Sequence, residues 1–193
     1  MAIIKDLLQR IKIHYQIKKN VKSNGINLSQ LKKRLIEYQN RELDINEILS
    51  GDYSDNSVID AYEYCMRKCN WDPSTLPDSN VKDFLLCLLY QGEVDNGGVS
   101  QFLSNSSGDM SVETVEALKK IDENAAEILV KALSCFPKGI VPKDREARNN
   151  LLDHLDEEKQ KCLNELDQVA YGHDSLSAYC NFIHLHQDEF MKF

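Results

Sequence analysis

The chain has 193 residues, of which 42% are hydrophobic and 28% are charged, and its formal net charge is −8 at pH 7. That length suits one well-buried domain, and that composition excludes a largely disordered protein. No apolar run approaches the roughly 18 residues of a membrane span, and charge interrupts the first residues too early for a signal peptide, so we expect a cytoplasmic protein that does not enter a membrane.

The charge is distributed unevenly along the chain. Residues 1–50 carry ten Lys and Arg against five Asp and Glu, whereas residues 51–193 carry thirteen against twenty-six. A strongly acidic body repels nucleic acid and favours basic partners. The basic segment is compatible with binding to nucleic acid, to an anionic membrane surface or to the acidic body itself. We therefore divide the chain into a basic helical N-terminal arm, residues 1–50, and an acidic all-helical domain, residues 55–193.

The arm begins with an amphipathic pattern. Residues 3–19 place apolar side chains at helical spacing, with lysine and arginine on the remaining arc. Asn24-Gly25 separates this helix from a second one, and Asp44 starts a short third helix that stops at Gly51. Three short helices with a basic second helix are compatible with a helix-turn-helix unit or with a plain helical packing arm.

The main body opens with a buried helix and then a second one that is more apolar still. From Val58 to Cys69 apolar residues recur at helical spacing, and Pro73 ends the pattern. From Phe84 to Tyr90 every residue is apolar or aromatic, so a helix over about 80–91 has no face to spare for water. We predict an all-α, compact multi-helix domain that wraps this central helix, with the small helical arm at its N-terminus.

Helical patterns continue to the end of the chain. One helix begins after Gly108, another spans about 125–136, and the gap around 121–124 is short enough to make them neighbours. Residues 144–171 form one kinked helix or two in succession, and a last helix follows Tyr171-Gly172-His173-Asp174. In residues 144–171 the side chains predicted to point inward are Leu151, Leu155, Cys162, Leu166 and Val169.

The six cysteines lie at positions 65, 69, 87, 135, 162 and 180. We expect them to be reduced and to act as small buried hydrophobic residues. Cys65 and Cys69 are spaced as half of a metal site, but no second cysteine pair or His-x-x-x-His motif completes it. The sequence therefore predicts no metal and no cofactor.

A polar segment follows the central helix directly. Asp95 and Asn96 are good N-cap residues, and Gly97-Gly98 allows a following helix to start against a very close neighbour, because glycine has no Cβ. Gly108 suits a left-handed helix terminator.

Two amides lie four residues apart on that following helix. Gln101 and Asn105 share one side, where they can bind the backbone of an adjacent loop or a bound group. The candidate binding residues are therefore Asn96, Gly97, Gly98, Gln101, Asn105 and Gly108. One interpretation is that their hydrogen bonds fix loops around the central helix, and the other is a ligand or partner site.

The sequence contains no recognisable catalytic constellation. We find no nucleophile beside a base and no pair of carboxylates in contrasting environments. No Gly-Lys-Ser/Thr follows the glycine pair, which excludes a phosphate-binding loop of that type. We name no catalytic residue and favour a protein that is not an enzyme.

Several short segments together form a familiar pattern. They are Glu93-Val-Asp-Asn-Gly-Gly-Val-Ser-Gln-Phe-Leu-Ser-Asn-Ser-Ser-Gly108, Glu116-Ala-Leu-Lys-Lys-Ile121, Phe136-Pro137, Arg148 and Leu166-Asp167. In these segments the chain resembles the bacterial DNA-mimic-protein-like family, over roughly residues 70–190. The resemblance implies an all-helical, acidic, dimeric cytoplasmic protein. At least one family member is understood to present carboxylates in place of DNA phosphates to a DNA-binding protein.

Such mimicry requires many carboxylates on one surface. Asp153, Asp156, Glu157 and Asp167 share a polar stripe if their helix is continuous. Duplex DNA carries about one charge per 1.7 Å, so the roughly 21 Å that fourteen helical residues cover corresponds to about twelve phosphates. Four carboxylates fall short of that number, and an ordinary solvated helix face is the alternative. Further acidic positions, or a second copy of the chain, would have to contribute: Glu113, Glu116, Asp122, Glu123 and Glu127.

Three functions remain compatible with the sequence. The one we favour is a non-enzymatic acidic protein that occupies the nucleic-acid-binding surface of a basic partner, with no direct contact between the acidic body and nucleic acid. The second is a small-ligand-binding protein or enzyme that uses the Asn96–Gly108 loop as its pocket. The third is a nucleic-acid binder that works through the basic arm.

Overall fold

The computed structural model of the chain describes residues 41–51 and 55–193. Within these ranges the chain forms nine α-helices and three short 3₁₀ turns, and no strand, which confirms the predicted all-α class. The helices are α1 (Ile45–Leu49), α2 (Asp55–Lys68), α3 (Asn80–Ser104), α4 (Ser111–Ile121), α5 (Glu123–Ser134), α6 (Arg145–Asp153), α7 (Glu157–Tyr171), α8 (Leu176–Leu185) and α9 (Gln187–Lys192). The 3₁₀ turns are Pro73–Thr75, Ser106–Met110 and Pro137–Gly139.

Helix α3 is the element against which the others pack. It begins at a serine N-cap, where the Ser79 side chain accepts a hydrogen bond from the Lys82 N–H at 3.2 Å. Between Phe84 and Tyr90 only Leu88 is partly exposed, and α2, α4, α6, α7, α8 and α9 all contact this helix. Burial of each such side chain contributes about 1.5–3 kcal/mol. The predicted central helix is confirmed, although it runs beyond residue 91 to the end of α3.

The end of the predicted arm packs against the body. Ile45 and Leu49 of α1 are buried in the same core as α2, and the Gln187 amide donates to the Leu49 carbonyl at 3.0 Å. Arg41 forms an ion pair with Asp60 of α2. Residues 1–40 lie outside the described residues, and the two helices and the helix-turn-helix alternative predicted there stay predictions.

Helices α4 and α5 are neighbours, as the short gap between them predicts. Asp122 is the one residue between them, and its side chain caps α5 by accepting a hydrogen bond from the Ala125 N–H at 3.1 Å. Helix α5 packs in turn on α7. These contacts hold α4, α5 and α7 together beside α3.

Residues 144–171 form two helices rather than one. An aspartate caps each: Asp144 accepts from the Ala147 N–H at 2.8 Å at the start of α6, and Asp156 accepts from the Lys159 N–H at 2.9 Å at the start of α7. Acidic residues in the first turns of both helices interact favourably with the helix dipole. The break between α6 and α7 means that no continuous helical stripe joins Asp153 to the acidic residues of α7.

The predicted inward face of α7 is partly wrong. Leu166 is buried as predicted, but Cys162 is exposed and Val169 is 57% exposed. The buried side chains of α7 are Leu163, Leu166 and Ala170, which is a helical stripe rotated away from the predicted one. Periodicity fits both stripes in a helix with few apolar residues, and packing against α3 and α5 selects between them.

None of the six cysteines takes part in a disulfide. Four are buried as predicted, whereas Cys162 is exposed and Cys180 is partly exposed. Burial raises the pKa of the Cys65 thiol to about 12, so this buried thiol stays protonated at neutral pH. Among the described residues no group of three or more His, Cys, Asp or Glu is placed to hold a metal ion, and none of the described helices is both long and apolar enough to cross a membrane.

Candidate functional site

The Asn-Gly-Gly segment forms a kink inside α3. Gly97 and Gly98 depart from helical geometry, and Gly98 has φ 79°, a left-handed conformation that favours glycine. A Cβ on Gly98 would also lie 2.5 Å from Cγ of Asp167 in α7. The predicted close approach of a neighbour is therefore confirmed, and the neighbour is α7.

Asp167 caps the second half of α3 from across the helix pair. Its Oδ1 accepts a hydrogen bond from the Ser100 N–H at 2.9 Å, and its Oδ2 accepts one from the Ser100 hydroxyl at 2.7 Å. The prediction that Asp95 and Asn96 act as N-caps is wrong, because both are exposed residues within α3. Asp95 instead accepts a hydrogen bond from the Gln91 amide one turn earlier, at 3.0 Å. A residue of another helix supplies the cap.

The two amides predicted to share a side meet a buried carboxyl group. Gln101 Nε2 and Asn105 Nδ2 each donate to Glu93 Oε2 at 2.8 Å, and the Ser107 hydroxyl donates to Glu93 Oε1 at 3.0 Å. Glu93 is only 4% exposed. Because a buried carboxyl group is costly unless it is hydrogen-bonded, these three donors allow Glu93 to stand in the core.

Arg148 of α6 fixes the turn that follows α3. Its side chain is fully buried, and all five of its N–H donors are used. Four bonds go to backbone carbonyls, including Pro142 at 2.7 Å and Asn105 at 2.7 Å, and one goes to Asp109 Oδ1 at 2.7 Å. The complete set of acceptor residues is Leu103, Asn105, Asp109, Pro142 and Lys143.

Gly108 allows Arg148 to pack closely against the chain and does not terminate a helix. Its φ is not positive, so the prediction of a left-handed terminator is wrong. A Cβ here would lie 2.8 Å from Arg148 Nε and 2.8 Å from the Leu103 carbonyl oxygen. Glycine is therefore required for close packing and not for a special backbone angle. We refer to Glu93, Gln101, Asn105, Ser107 and Arg148 as the polar lock.

The hydrogen bonds of the polar lock weaken the case for a ligand pocket in the Asn96–Gly108 loop. The Gln101 and Asn105 side-chain nitrogens each donate one hydrogen bond to Glu93, and the Asn105 carbonyl oxygen accepts from Arg148. Asn105 Oδ1 accepts a further hydrogen bond from Arg145 at 3.3 Å. These internal bonds occupy part of the hydrogen-bonding capacity that a ligand would use. The geometry therefore favours the interpretation in which these amides fix the chain around the central helix.

The acidic candidates are placed in three different ways. Four of them form ion pairs with lysine, each at a largely exposed surface: Glu113 with Lys143, Glu116 with Lys119, Glu127 with Lys131 and Asp156 with Lys159. Three are exposed, and no ion pair involves them within residues 41–51 and 55–193: Glu123, Asp153 and Glu157. Asp167 is turned toward α3, as described above, and Asp122 is buried.

Sequence reasoning missed part of the acidic surface. Asp144, Glu146 and Glu158 are exposed and lie in the same chain segment as three of the candidates. Of the two arginines of this segment, Arg148 is buried and pairs with Asp109, and the exposed Arg145 donates from Nε to the Ser104 carbonyl at 2.9 Å. We define the acidic face as these residues of α6, of the α7 N-terminus and of their caps: Asp144, Glu146, Asp153, Asp156, Glu157 and Glu158.

A groove of about 670 Å³ lies at the α6 part of the acidic face. Asp144, Glu146, Asn149, Asn150 and Asp153 line it. Within the described chain, Asn149 Oδ1 is buried and accepts no hydrogen bond. The three carboxylates of this groove suit lysine or arginine side chains, and the two asparagine side chains beside them carry both donors and acceptors.

A known protein family matches a segment of the chain that contains both regions. The model of the family described as DMP19-like protein matches residues 74–186, which include both the polar lock and the acidic face. The chain belongs to the DMP19-like protein family. This is the DNA-mimic family that the sequence resembles, so the resemblance is confirmed. Neither the curated proteins nor the solved structures contain a significant match to the chain.

A buried acid–histidine pair joins two helices of this DMP19-like protein. His173, just after α7, lies 2.7 Å from Asp122 Oδ2 at the start of α5. Burial alone would raise the pKa of Asp122, but the nearby Ser175 side chain and the hydrogen bonds with the Ala125 N–H and His173 together hold it below the usual value. Asp122, proposed from the sequence as a surface charge, is therefore a structural group.

The DMP19-like sequence carried a signal for Glu93 but not for Arg148. Glu93 interrupts an apolar helix three residues after Tyr90, and a charge at a core position predicts a buried partner set. Arg148 follows the mixed-charge run Lys143-Asp144-Arg145-Glu146, where nothing in the local pattern predicts its burial. Its partners lie about 40 positions earlier in the chain, beyond the range of helical spacing.

Proposed function

We propose that this DMP19-like protein is a non-enzymatic acidic binding protein that occupies the nucleic-acid-binding surface of a basic protein partner. The observation that carries the proposal is the acidic face, with its six exposed carboxylates. Within the described chain a single ion pair involves them, Asp156 with Lys159 at 3.5 Å. Glu146, Asp153, Glu157 and Glu158 are exposed and form no ion pair in the described chain, so they are available to a basic surface and can steer its approach.

The charge balance of the family-matched segment supports the same proposal. Residues 74–186 carry nineteen Asp and Glu against ten Lys and Arg. Duplex DNA with the length of α7, about 22 Å, carries about thirteen phosphate charges, so the acidic face of one chain supplies about half of that number. A homodimer that joins two acidic faces would approach the full number, and we include such a dimer in the proposal. We also propose the cytoplasm as the compartment, where DNA-binding partners occur.

The proposal is tested by capture followed by competition with DNA. The immobilised full chain is exposed to a cell lysate and washed, and bound proteins are eluted either with excess duplex DNA or with salt. We expect basic DNA-binding proteins that duplex DNA releases, because both ligands occupy the same surface, and we expect the binding to weaken steeply with salt. A captured protein that remains bound under excess duplex would contradict the proposal.

The decisive step uses the purified captured protein with labelled duplex DNA. Addition of the chain should release free DNA in a mobility-shift assay. A slower-moving ternary complex instead of free DNA would show that the two ligands bind different surfaces, and it would overturn DNA mimicry. The control is a triple variant, Glu42→Gln, Glu47→Gln and Asp188→Asn, whose substitutions lie before α1, in α1 and in α9. This variant keeps the acidic face and should release DNA as well as the native chain does.

A further inference from the structure

The outer side of helix α6 is exposed. The main contacts of this helix are with α3 and with the 3₁₀ turn Ser106–Met110. Glu146, Ala147, Asn150 and Asp153 are exposed and recur at helical spacing, so they form one face of α6. The groove of about 670 Å³ lies at this face. A groove on an exposed helix face is a place where another segment can dock.

The lining of the groove is suited to basic side chains. Its six residues include three carboxylates and no lysine or arginine. Asn149 is one of the six, and its Oδ1 is buried and accepts no hydrogen bond within the described chain. Because a buried acceptor without a donor is unfavourable, this oxygen favours a donor from outside the described residues. Lysine and arginine supply such donors together with positive charge.

Residues 1–40 of the same chain carry the complementary charge. They contain nine Lys and Arg against two Asp and Glu, whereas the remaining residues contain fourteen against twenty-nine. We refer to residues 1–40 as the basic segment. The chain therefore contains its own polybasic ligand for an acidic surface.

The basic segment is joined to the body at a fixed point and is long enough to reach α6. Arg41 forms an ion pair with Asp60 of α2, and Arg67 Nη1 donates to the Arg41 carbonyl at 2.9 Å. Helix α2 packs on α3, which is about 37 Å long. The 22 residues from Lys19 to Arg41 span about 33 Å as a helix and about 75 Å when extended. A tethered segment of this reach is present near the groove at a high local concentration.

We propose that the basic segment docks in the α6 groove of its own chain. Its lysine and arginine side chains bind Asp144, Glu146 and Asp153, and one of them donates to Asn149 Oδ1. The docked segment covers part of the acidic face, so a basic partner must displace it. This competition rests on the proposed function, whereas the docking does not.

Cross-linking of the full chain with a carbodiimide tests the docking. The reagent joins a lysine amine to a carboxylate that it contacts, and peptide mass spectrometry maps the products. We expect products that join lysines of the basic segment to Asp144, Glu146 or Asp153. The ion pair of Lys120 with Asp83, at 2.6 Å, is an internal positive control. The proposal is overturned if the control pair is joined and no lysine of the basic segment is joined to the groove.

An equal mixture of unlabelled and isotope-labelled chains identifies the molecule that supplies the segment. Docking within one chain joins only peptides that carry the same label. Peptide pairs of mixed label would show that a second copy occupies the groove, and they would overturn the proposal.

A matched pair of surface variants tests the groove itself. Asn150→Lys places a positive charge in the groove, so the yield of products between the basic segment and the groove should fall about threefold or more relative to the control pair. Asn124→Lys makes the same change at an exposed position of α5 and should leave the yield unchanged. Equal yields in the two variants would contradict docking in the groove.

The DNA-release assay with the captured partner tests the competition. Neutralising Lys18, Lys19, Lys32 and Lys33 to glutamine should lower the concentration of the chain that releases DNA by about threefold or more, because the internal competitor is weakened. The control changes the net charge equally at four exposed lysines of the body: Lys119→Gln, Lys131→Gln, Lys138→Gln and Lys161→Gln. An equal effect in the two variants would overturn the competition. Failure to capture any partner would count against the proposed function instead, and the cross-linking result would still decide the docking.

Discussion

The polar lock and the acidic face use similar residues in opposite ways. In the lock, every polar group is directed inward, and Glu93 and Arg148 are each surrounded by hydrogen-bond partners. On the acidic face, Asp153, Glu157 and Glu158 are exposed and have no ion pair in the described chain. The polar groups of the lock therefore build the fold, whereas the segment that we propose to bind a partner is charged and forms a single ion pair within the described chain.

Helix α6 contributes residues to both the polar lock and the acidic face. Its inward side carries Arg148 into the lock, and its outward side carries Glu146 and Asp153. The lock therefore fixes the orientation of the acidic face. Changes to the lock should affect stability, and changes to the face should affect binding. Variants of each region test that separation.

The largest effect is expected for Arg148→Met. Methionine fills much of the space but leaves four carbonyl groups and Asp109 without their donor, so we expect a loss of about 3–5 kcal/mol in the free energy of unfolding. Urea titration followed by circular dichroism measures this loss. The control is Arg145→Met in the same helix, which removes two bonds at an exposed side chain and should cost less than about 1 kcal/mol. Equal losses in the two variants would refute the lock.

The next largest effect is expected for Gly98→Ala. Alanine must adopt φ 79° and ψ −177°, a region that is essentially restricted to glycine, at about 1–3 kcal/mol, and must displace Asp167 from its capping position, at about 1 kcal/mol more. Gly139→Ala is the matched control, since Gly139 has φ 67° but no atom within 4 Å of the position that the added methyl group would take. We therefore expect the Gly98 variant to be less stable than the Gly139 variant in thermal and urea unfolding. A reversed order would show that α7 does not press on the kink.

A smaller loss is expected for Glu93→Gln. The side chain keeps its shape, but one acceptor oxygen becomes an NH₂ group that faces the donors Gln101, Asn105 and Ser107. We expect the free energy of unfolding to fall by about 2 kcal/mol. Asp95→Asn, an exposed change of the same kind two residues later, should have little effect in the same urea titration. If Glu93→Gln were as stable as the native chain, the core would not need this carboxyl group.

The smallest effect concerns Asp122 and acid. The pKa of Asp122 is lowered in the folded chain, so its contribution to stability is present above the pKa of the unfolded state and is lost as pH falls through the folded value. Asp122→Asn keeps a good N-cap and removes the charge, so we expect a loss of about 1 kcal/mol at pH 7 and a weaker dependence on pH below about 4. Urea titrations from pH 3 to pH 7 measure both. If the variant loses as much stability at low pH as the native chain does, groups other than Asp122 cause that loss.

The sequence predicts the core better than the lock. The run from Phe84 to Tyr90 specifies a buried helix because no rotation of it exposes a polar face, and Gly97-Gly98 specifies a close approach because only glycine tolerates one. Spacing also placed Gln101 and Asn105 on one side. It could not identify their acceptor, since Glu93 belongs to the helix before the kink and a periodic pattern carries no information across a break in periodicity.

Long-range contacts account for the errors in the predicted site. Asp167 has the spacing of a surface charge on α7, yet it caps α3, because tertiary packing brings Ser100 to it. The same argument applies to Gly108, whose role is set by Arg148, 40 residues later. The pattern of exposed acids on α6 and α7 was partly predictable, since charge at non-core positions is local information. The binding role of the acidic face is therefore a proposal that rests on the exposure of its carboxylates. The lock, in contrast, is a set of hydrogen bonds within the structure.

The most direct test measures partner binding and stability in one variant of the acidic face. The variant Asp153→Asn, Glu157→Gln, Glu158→Gln neutralises three exposed carboxylates, and its control is the triple variant of Glu42, Glu47 and Asp188. We predict that affinity for the captured DNA-binding partner falls about tenfold or more in the face variant and is nearly unchanged in the control. The free energy of unfolding should change by less than about 1 kcal/mol in both. Full affinity in the face variant, at native stability, would contradict the account.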